Sequence, residues 1–137
     1  MTLERLNQHL DLLQHRTQTE ELLVALRSRA EPGSKAITGM PHGSGISDRV
    51  GDLAAEIVDC ENAIEQLTEQ IKKDEIPIVK FIGSIPNLQT RTIFRLRFLR
   101  GLSWKEVSQI LGRYTTESNV KSVCYRFFQR QGSKDVG

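Results

Sequence analysis

Val50, Leu53, Ile57, Cys60, Ile64, Leu67 and Ile71 recur at alternating spacings of three and four residues, without a break. A strand repeats every two residues, so this pattern can bury its apolar side chains on one face only as a helix. It is heptad-like, and it predicts a helix that packs lengthwise against another. Ala54 adds a small packing position, and Glu56, Glu61, Glu65 and Glu69 fall on the wet side. Ser47 is a good N-cap, and Asp48 suits the positive end of a helix dipole. The helix is therefore expected to start at Ser47.

A partner for it precedes it in the chain. Leu3, Leu6, Leu10 and Leu13 form a similar seam, with Val24 in the same register and Leu12, Leu22, Leu23 and Leu26 widening it. Thr17 and Glu20 are polar defects within the seam. Glu4, Gln8, Asp11, Gln18 and Glu21 make the polar face. The simplest arrangement folds the two helices into an antiparallel hairpin. Between them, at 30–46, Pro32, Gly33, Gly39, Pro41, Gly43 and Gly45 break every period. This is read as an exposed linker. Its glycines follow no strand, so a phosphate-cradling loop is not supported.

Beyond Lys72-Lys73-Asp74-Glu75, Pro77 is expected to end or kink the helix near Ile76. Ile78, Phe81, Ile82 and Ile85 carry it two turns further, and Gly83-Ser84 and Pro86 mark a turn. The charge changes sign here. Met1–Ile78 holds 8 basic and 14 acidic residues, a balance of −6; Val79–Gly137 holds 11 basic and 3 acidic, a balance of +8. A cationic half points to a polyanionic partner.

That half reads as three short helices. In Leu88–Arg100, Leu88, Ile93, Leu96 and Leu99 are expected to face inward with Phe94 or Phe98 flanking, and Arg91, Arg95, Arg97 and Arg100 project elsewhere. Gly101 stops it. Ser103 and Glu106 spell a capping box for the second helix, with Val107, Ile110 and Leu111 inward and Gly112 closing it. The ring of Trp104 could cover the core while its N–H reaches a phosphate, although a buried tryptophan usually works by area. Thr115 or Thr116 can cap the third helix, from about Ser118 to Gln129. Val120, Val123, Cys124 and Phe127 share one side of it; Ser118, Ser122, Tyr125 and Gln129 lie opposite, flanked by Asn119, Lys121 and Arg126.

Two helices joined by a short glycine-containing turn outline a helix-turn-helix. An apolar back with a front of amide, hydroxyl and basic groups suits the major groove of duplex DNA. Lys105, Arg113, Lys121 and Arg126 would anchor phosphates, and Ser118, Asn119, Ser122 and Tyr125 would face base edges.

The run from Leu88 to Gly112, with Arg91, Ile93-Phe94, Leu96-Arg97-Phe98, Gly101-Leu102-Ser103-Trp104 and Glu106-Val107, resembles region 4 of sigma-70-type factors. Val120-Lys121 and Arg126 fall where that module carries its recognition helix. The turn after Gly112 is about two residues longer than is usual there. The signature Ile37-Thr38-Gly39-Met40-Pro41-His42-Gly43-Ser44-Gly45-Ile46-Ser47-Asp48-Arg49-Val50, with the coiled region and the tail, resembles a family of small prophage proteins of Gram-positive bacteria. These are similar to phage late-transcription regulators of the ArpU and RinA type. The resemblance implies a phage-encoded transcription regulator.

The expected fold is thus all-α: an acidic antiparallel hairpin with a coiled-coil-like stalk at 1–78, then a basic three-helix, sigma region 4-like helix-turn-helix domain at 79–137. The expected partner is double-stranded DNA, with RNA polymerase as a further candidate and self-association as a homodimer through the hairpin. A small-terminase-like packaging component or a polymerase-interacting module are the alternatives. No nucleophile–base pair or paired apolar-set carboxylates suggest an enzyme. His9, His15 and His42 lack metal-ligand spacing, and no cofactor is implied. No apolar run approaches the roughly 20 residues a bilayer needs, and the amino terminus does not read as a signal peptide. A cytoplasmic protein with Cys60 and Cys124 reduced and buried is expected.

Overall fold

A computed structural model describes the backbone of residues 1–31, 43–112 and 115–136, and the side chains of these except at 43–52 and 132–136. The linker at 32–42, Arg113, and the side chains of Ser47, Asp48 and Val50 lie outside the described residues. The fold is all-α. Helices run over Leu3–Ala30 (α1), Gly43–Gly83 (α2), Leu88–Phe94 (α3), Trp104–Leu111 (α4) and Glu117–Val136 (α5).

Nothing interrupts α1 between its termini. The Thr2 hydroxyl accepts from the Arg5 amide at 3.1 Å, which caps the start. Arg27 and Arg29 in the last turn complement the helix dipole. Leu6, Leu10 and Leu13 are buried as expected, but Val24 (66% exposed) and Leu22 (52%) are not. The seam instead passes through Leu23. Strict three-four counting from Leu3 runs one residue past the position that the packed helix turns inward.

Helix α2 begins at Gly43, four residues before the expected Ser47 cap, and it does not end near Ile76. It continues through Pro77 to Gly83. Pro77 removes the amide that would bond to the Lys73 carbonyl. Both residues are exposed, so water can reach that carbonyl. Meanwhile Ile71, Ile78 and Ile82, on either side of the proline, stay in register and are buried. Burial of such side chains, at about 2 kcal/mol each, offsets the ~3 kcal/mol a proline costs inside a helix. Cys60 and Leu67 are buried, Glu56, Glu61, Glu65 and Glu69 are exposed as expected, and Ala54 is exposed rather than packed.

The chain separates into two compact units. One comprises Gln14–Gln70, in which Arg27 meets Glu61 across the helix pair at 3.5 Å. The other comprises Met1–Leu13 with Ile71–Gly137. The second unit cuts across the sequence boundary at 78. The reason is a single core: Leu6, Leu10 and Leu13 of α1 and Ile71, Ile78 and Ile82 of α2 join Ile93, Phe94, Phe98, Trp104, Val107, Val120 and Cys124. The ends of the hairpin helices are therefore part of the core of the basic half.

Inside this core the α1–α2 seam holds one polar cluster. Asp74 lies three residues after Ile71 and four before Ile78, on the apolar face. Its carboxylate accepts from Arg5 Nη2 at 2.6 Å and pairs with His9 Nδ1 at 2.8 Å. The His9 side chain is completely buried, and its Nε2 has no partner among the described residues.

In α3, Asn87 is the N-cap, its Oδ1 accepting from the Thr90 amide at 2.9 Å. The helix widens at Arg95–Leu99 into a π-helical turn, closed by Arg100 N–H to the Arg95 carbonyl at 3.0 Å. Phe94 and Phe98 are the centre of the core rather than its flank, and Leu88 is 65% exposed. Leu88 lies five residues before Ile93, about 140° round the helix, and so faces away. Phe94 packs against Phe81, Phe98, Phe127 and Phe128 with ring centroids 5.2–6.3 Å apart. Gly101, at φ +72°, makes the left-handed turn that releases the chain into α4.

Candidate nucleic-acid interface

The α4–α5 segment is held by local chemistry that the sequence spells out. Ser103 Oγ accepts from the Glu106 amide at 3.1 Å, and Glu106 Oε1 accepts from the Ser103 amide at 3.0 Å. The bond from the Ser103 amide, and after it the Ser103 side chain, hold the Glu106 carboxyl below its usual pKa. Gly112, at φ +86°, ends α4. Thr116 caps α5, its Oγ1 accepting from the Asn119 amide at 3.1 Å.

Helix α5 is anchored by Val120 and Cys124, with Val123, Phe127 and Phe128 partly buried against the core. Phe128 widens this anchor beyond the four residues the sequence suggested. Burial pushes the Cys124 thiol up to about 12, against the nearby positive charge of Arg97. Ser118, Asn119, Tyr125, Arg126 and Gln129 are exposed, and Lys121 and Ser122 are half-buried. At 100° per residue these seven side chains share one arc of the helix, opposite Val120 and Cys124. Lys105, in the first turn of α4, is exposed.

The arginines of the α3 segment divide into two kinds. Arg91 donates to the Ile85 carbonyl at 3.0 Å. Arg97 donates to the Leu102 carbonyl at 2.9 Å and lies 4.7 Å from the centre of the Trp104 ring. Burial lowers the Arg97 pKa, partly countered by Cys124 and Tyr125. These two arginines hold the turns on either side of the π segment. Arg95 and Arg100 are exposed. Trp104 is buried, edge-on to Phe98, which accounts for its place in the core.

Ser122, Asn119 and Arg126 do more than face outward. They line a concavity of about 260 Å³ between α3 and α5, together with Gln89, Thr115 and the apolar Ile93, Val120 and Val123. Gln89 was not among the residues singled out from the sequence. Nothing in the spacing of Leu88–Arg100 distinguishes it from other exposed polar positions. Among the described residues, none of Arg95, Arg100, Lys105, Lys121, Arg126 and Arg130 is paired with a carboxylate. No group of three or more potential metal ligands occurs, and no helix is long and apolar enough to cross a membrane, among the described residues.

No protein-family model, curated protein or solved structure matches this chain.

Proposed function

We propose that this chain is a phage- or prophage-encoded, sequence-specific DNA-binding transcription regulator. Helices α4 and α5 act as a helix-turn-helix, and α5 enters the major groove. Ser118, Asn119, Ser122 and Tyr125 meet base edges; Lys105, Lys121 and Arg126 hold backbone phosphates, and Arg113 is assigned to the same role. The acidic helix pair joins two copies, so that two readers engage two half-sites.

One observation carries this reading. The outward arc of α5 is occupied by hydroxyl, amide and cationic groups, while its opposite side is locked into an aromatic core. A rigid helix with a donor-rich front can present base-reading groups without paying much ordering entropy on binding. The excess of cations over carboxylates in this half supplies the sequence-independent attraction to phosphate. The sigma region 4-like run from Leu88 to Gly112 supports transcription over other DNA transactions.

The test is binding of duplex DNA, selected from random sequence, at several salt concentrations. Lys121→Ala/Arg126→Ala should bind more weakly, and its salt slope should be shallower by about 2, as loss of two phosphate contacts requires. Unchanged affinity and slope would refute the assignment. Polymerase capture by a chain without DNA affinity would do the same and favour a protein-docking module.

A further inference from the structure

We propose that the concavity between α3 and α5 seats one backbone phosphate of the bound DNA, with Gln89 as a contact residue. This rests on the DNA-binding reading above and extends it from α5 to α3.

The lining chemistry favours an anion rich in acceptor oxygens. Gln89 and Asn119 carry amide N–H groups, Thr115 and Ser122 carry hydroxyls, and Arg126 carries a guanidinium. Among the described residues no carboxylate lines the space. Arginine matches a phosphate in sign and in bidentate geometry. A volume of about 260 Å³ admits a phosphodiester group.

Shape separates this site from base reading. Base edges lie at the floor of a groove, so a convex helix surface must descend to meet them. Phosphates stand out along the groove's rim, and a recess in the protein can receive one. Asn119, Ser122 and Arg126 line this recess and also share the outward arc of α5, so the recess borders the reading face: Asn119 and Ser122 turn to the base edges, and Gln89, Thr115 and Arg126 hold the phosphate. A phosphate seated there would fix how deeply α5 enters the groove, since backbone contacts set register and orientation.

Gln89 is exposed, so substitutions there should leave the fold intact. Three variants of the full chain, Gln89→Met, Gln89→Glu and Gln89→Lys, would be titrated with the preferred duplex and with an unrelated duplex over a range of salt. Gln89→Met should weaken binding severalfold with the salt slope unchanged, because it removes a neutral donor. Gln89→Glu should weaken it about tenfold or more and make the slope shallower by about 0.9, because its charge offsets one phosphate contact. Gln89→Lys should strengthen binding and steepen the slope by a similar amount. Each effect should be equal on both duplexes, as for a backbone contact.

If the parent protein binds DNA and the Glu and Lys variants match it in affinity and slope, the phosphate site is refuted while the DNA-binding reading stands. An effect confined to the preferred duplex also refutes it and makes Gln89 a base contact. If the parent protein binds no duplex, the underlying reading fails first. Should Gln89→Glu not fold, the Lys variant alone still decides the matter.

Discussion

Replacing Asp74 by alanine should destabilise this protein well beyond what an ion pair at the surface contributes. His9 is completely buried, and its Nε2 already lacks a partner among the described residues. Removing Asp74 strands Nδ1 as well, 2.8 Å from where its partner had been. A buried polar group left without a partner costs about 1–3 kcal/mol. The Arg5–Asp74 pair is only partly shielded, with side chains 32% and 24% exposed, so its loss adds no more than about 1 kcal/mol. The expected total is about 1–4 kcal/mol, a sizeable share of the ~5–15 kcal/mol by which domains are stable. Urea unfolding at neutral pH, followed by far-UV circular dichroism, would measure it. Glu61→Ala is the internal control. It removes an ion pair 3.5 Å long between side chains 55% and 47% exposed, and should change stability by less than about 0.5 kcal/mol. The double variant His9→Leu/Asp74→Leu should recover most of the loss, because apolar groups of similar size can replace a buried polar pair at little cost. If Asp74→Ala and Glu61→Ala unfold at the same urea concentration, the buried cluster contributes nothing and the reasoning fails.

Acid should act on the same cluster: burial raises the Asp74 pKa, but hydrogen bonds from His9 and Arg5, with their charge, more than reverse this and leave it below the ordinary 3.8. Its contribution is therefore complete above that value and lost as pH falls through the lower folded value, so Asp74→Ala should show a shallower loss of stability in that window by acid titration. Phe94→Ala should cost about 3–5 kcal/mol in denaturant melts, whereas Leu88→Ser, at a 65% exposed position, should change stability by less than about 0.5 kcal/mol; equal effects would restore Leu88 to the core. Cys124, fully buried and with its thiol pushed up to about 12, should resist alkylation in the folded protein and react on unfolding; rapid labelling without denaturant would contradict its place in the core.

Much of this molecule was legible in the chain itself, where the cause is local. Three-four periodicity fixed α1 and α2 as helices, because no other element of this length buries such a pattern on one face. The Ser103/Glu106 capping box, Gly101, Gly112 and the Thr116 cap set the limits of α4 and the start of α5, since each satisfies backbone groups within a few residues. The outward arc of α5 followed from counting at 100° per residue, and Ser118, Asn119, Tyr125 and Arg126 are exposed as that counting requires.

Tertiary packing decided the rest. Whether Pro77 ends α2 depends on what its far side buries, and Ile78 and Ile82 find a core that no local rule reveals. Phe94 and Phe98, four residues apart, share a face by helical spacing alone, but packing decides that this face, and not the one bearing Leu88, becomes the centre. Asp74 and His9 looked like ordinary polar residues until α1 and α2 were set face to face. Gln89 acquired its place beside Asn119, Ser122 and Arg126 only when α3 packed against α5. Periodicity and caps act over one or two turns of chain, so sequence determined those. Register, core membership and the shape of a shared recess depend on which distant surfaces meet, and only the folded structure supplies that.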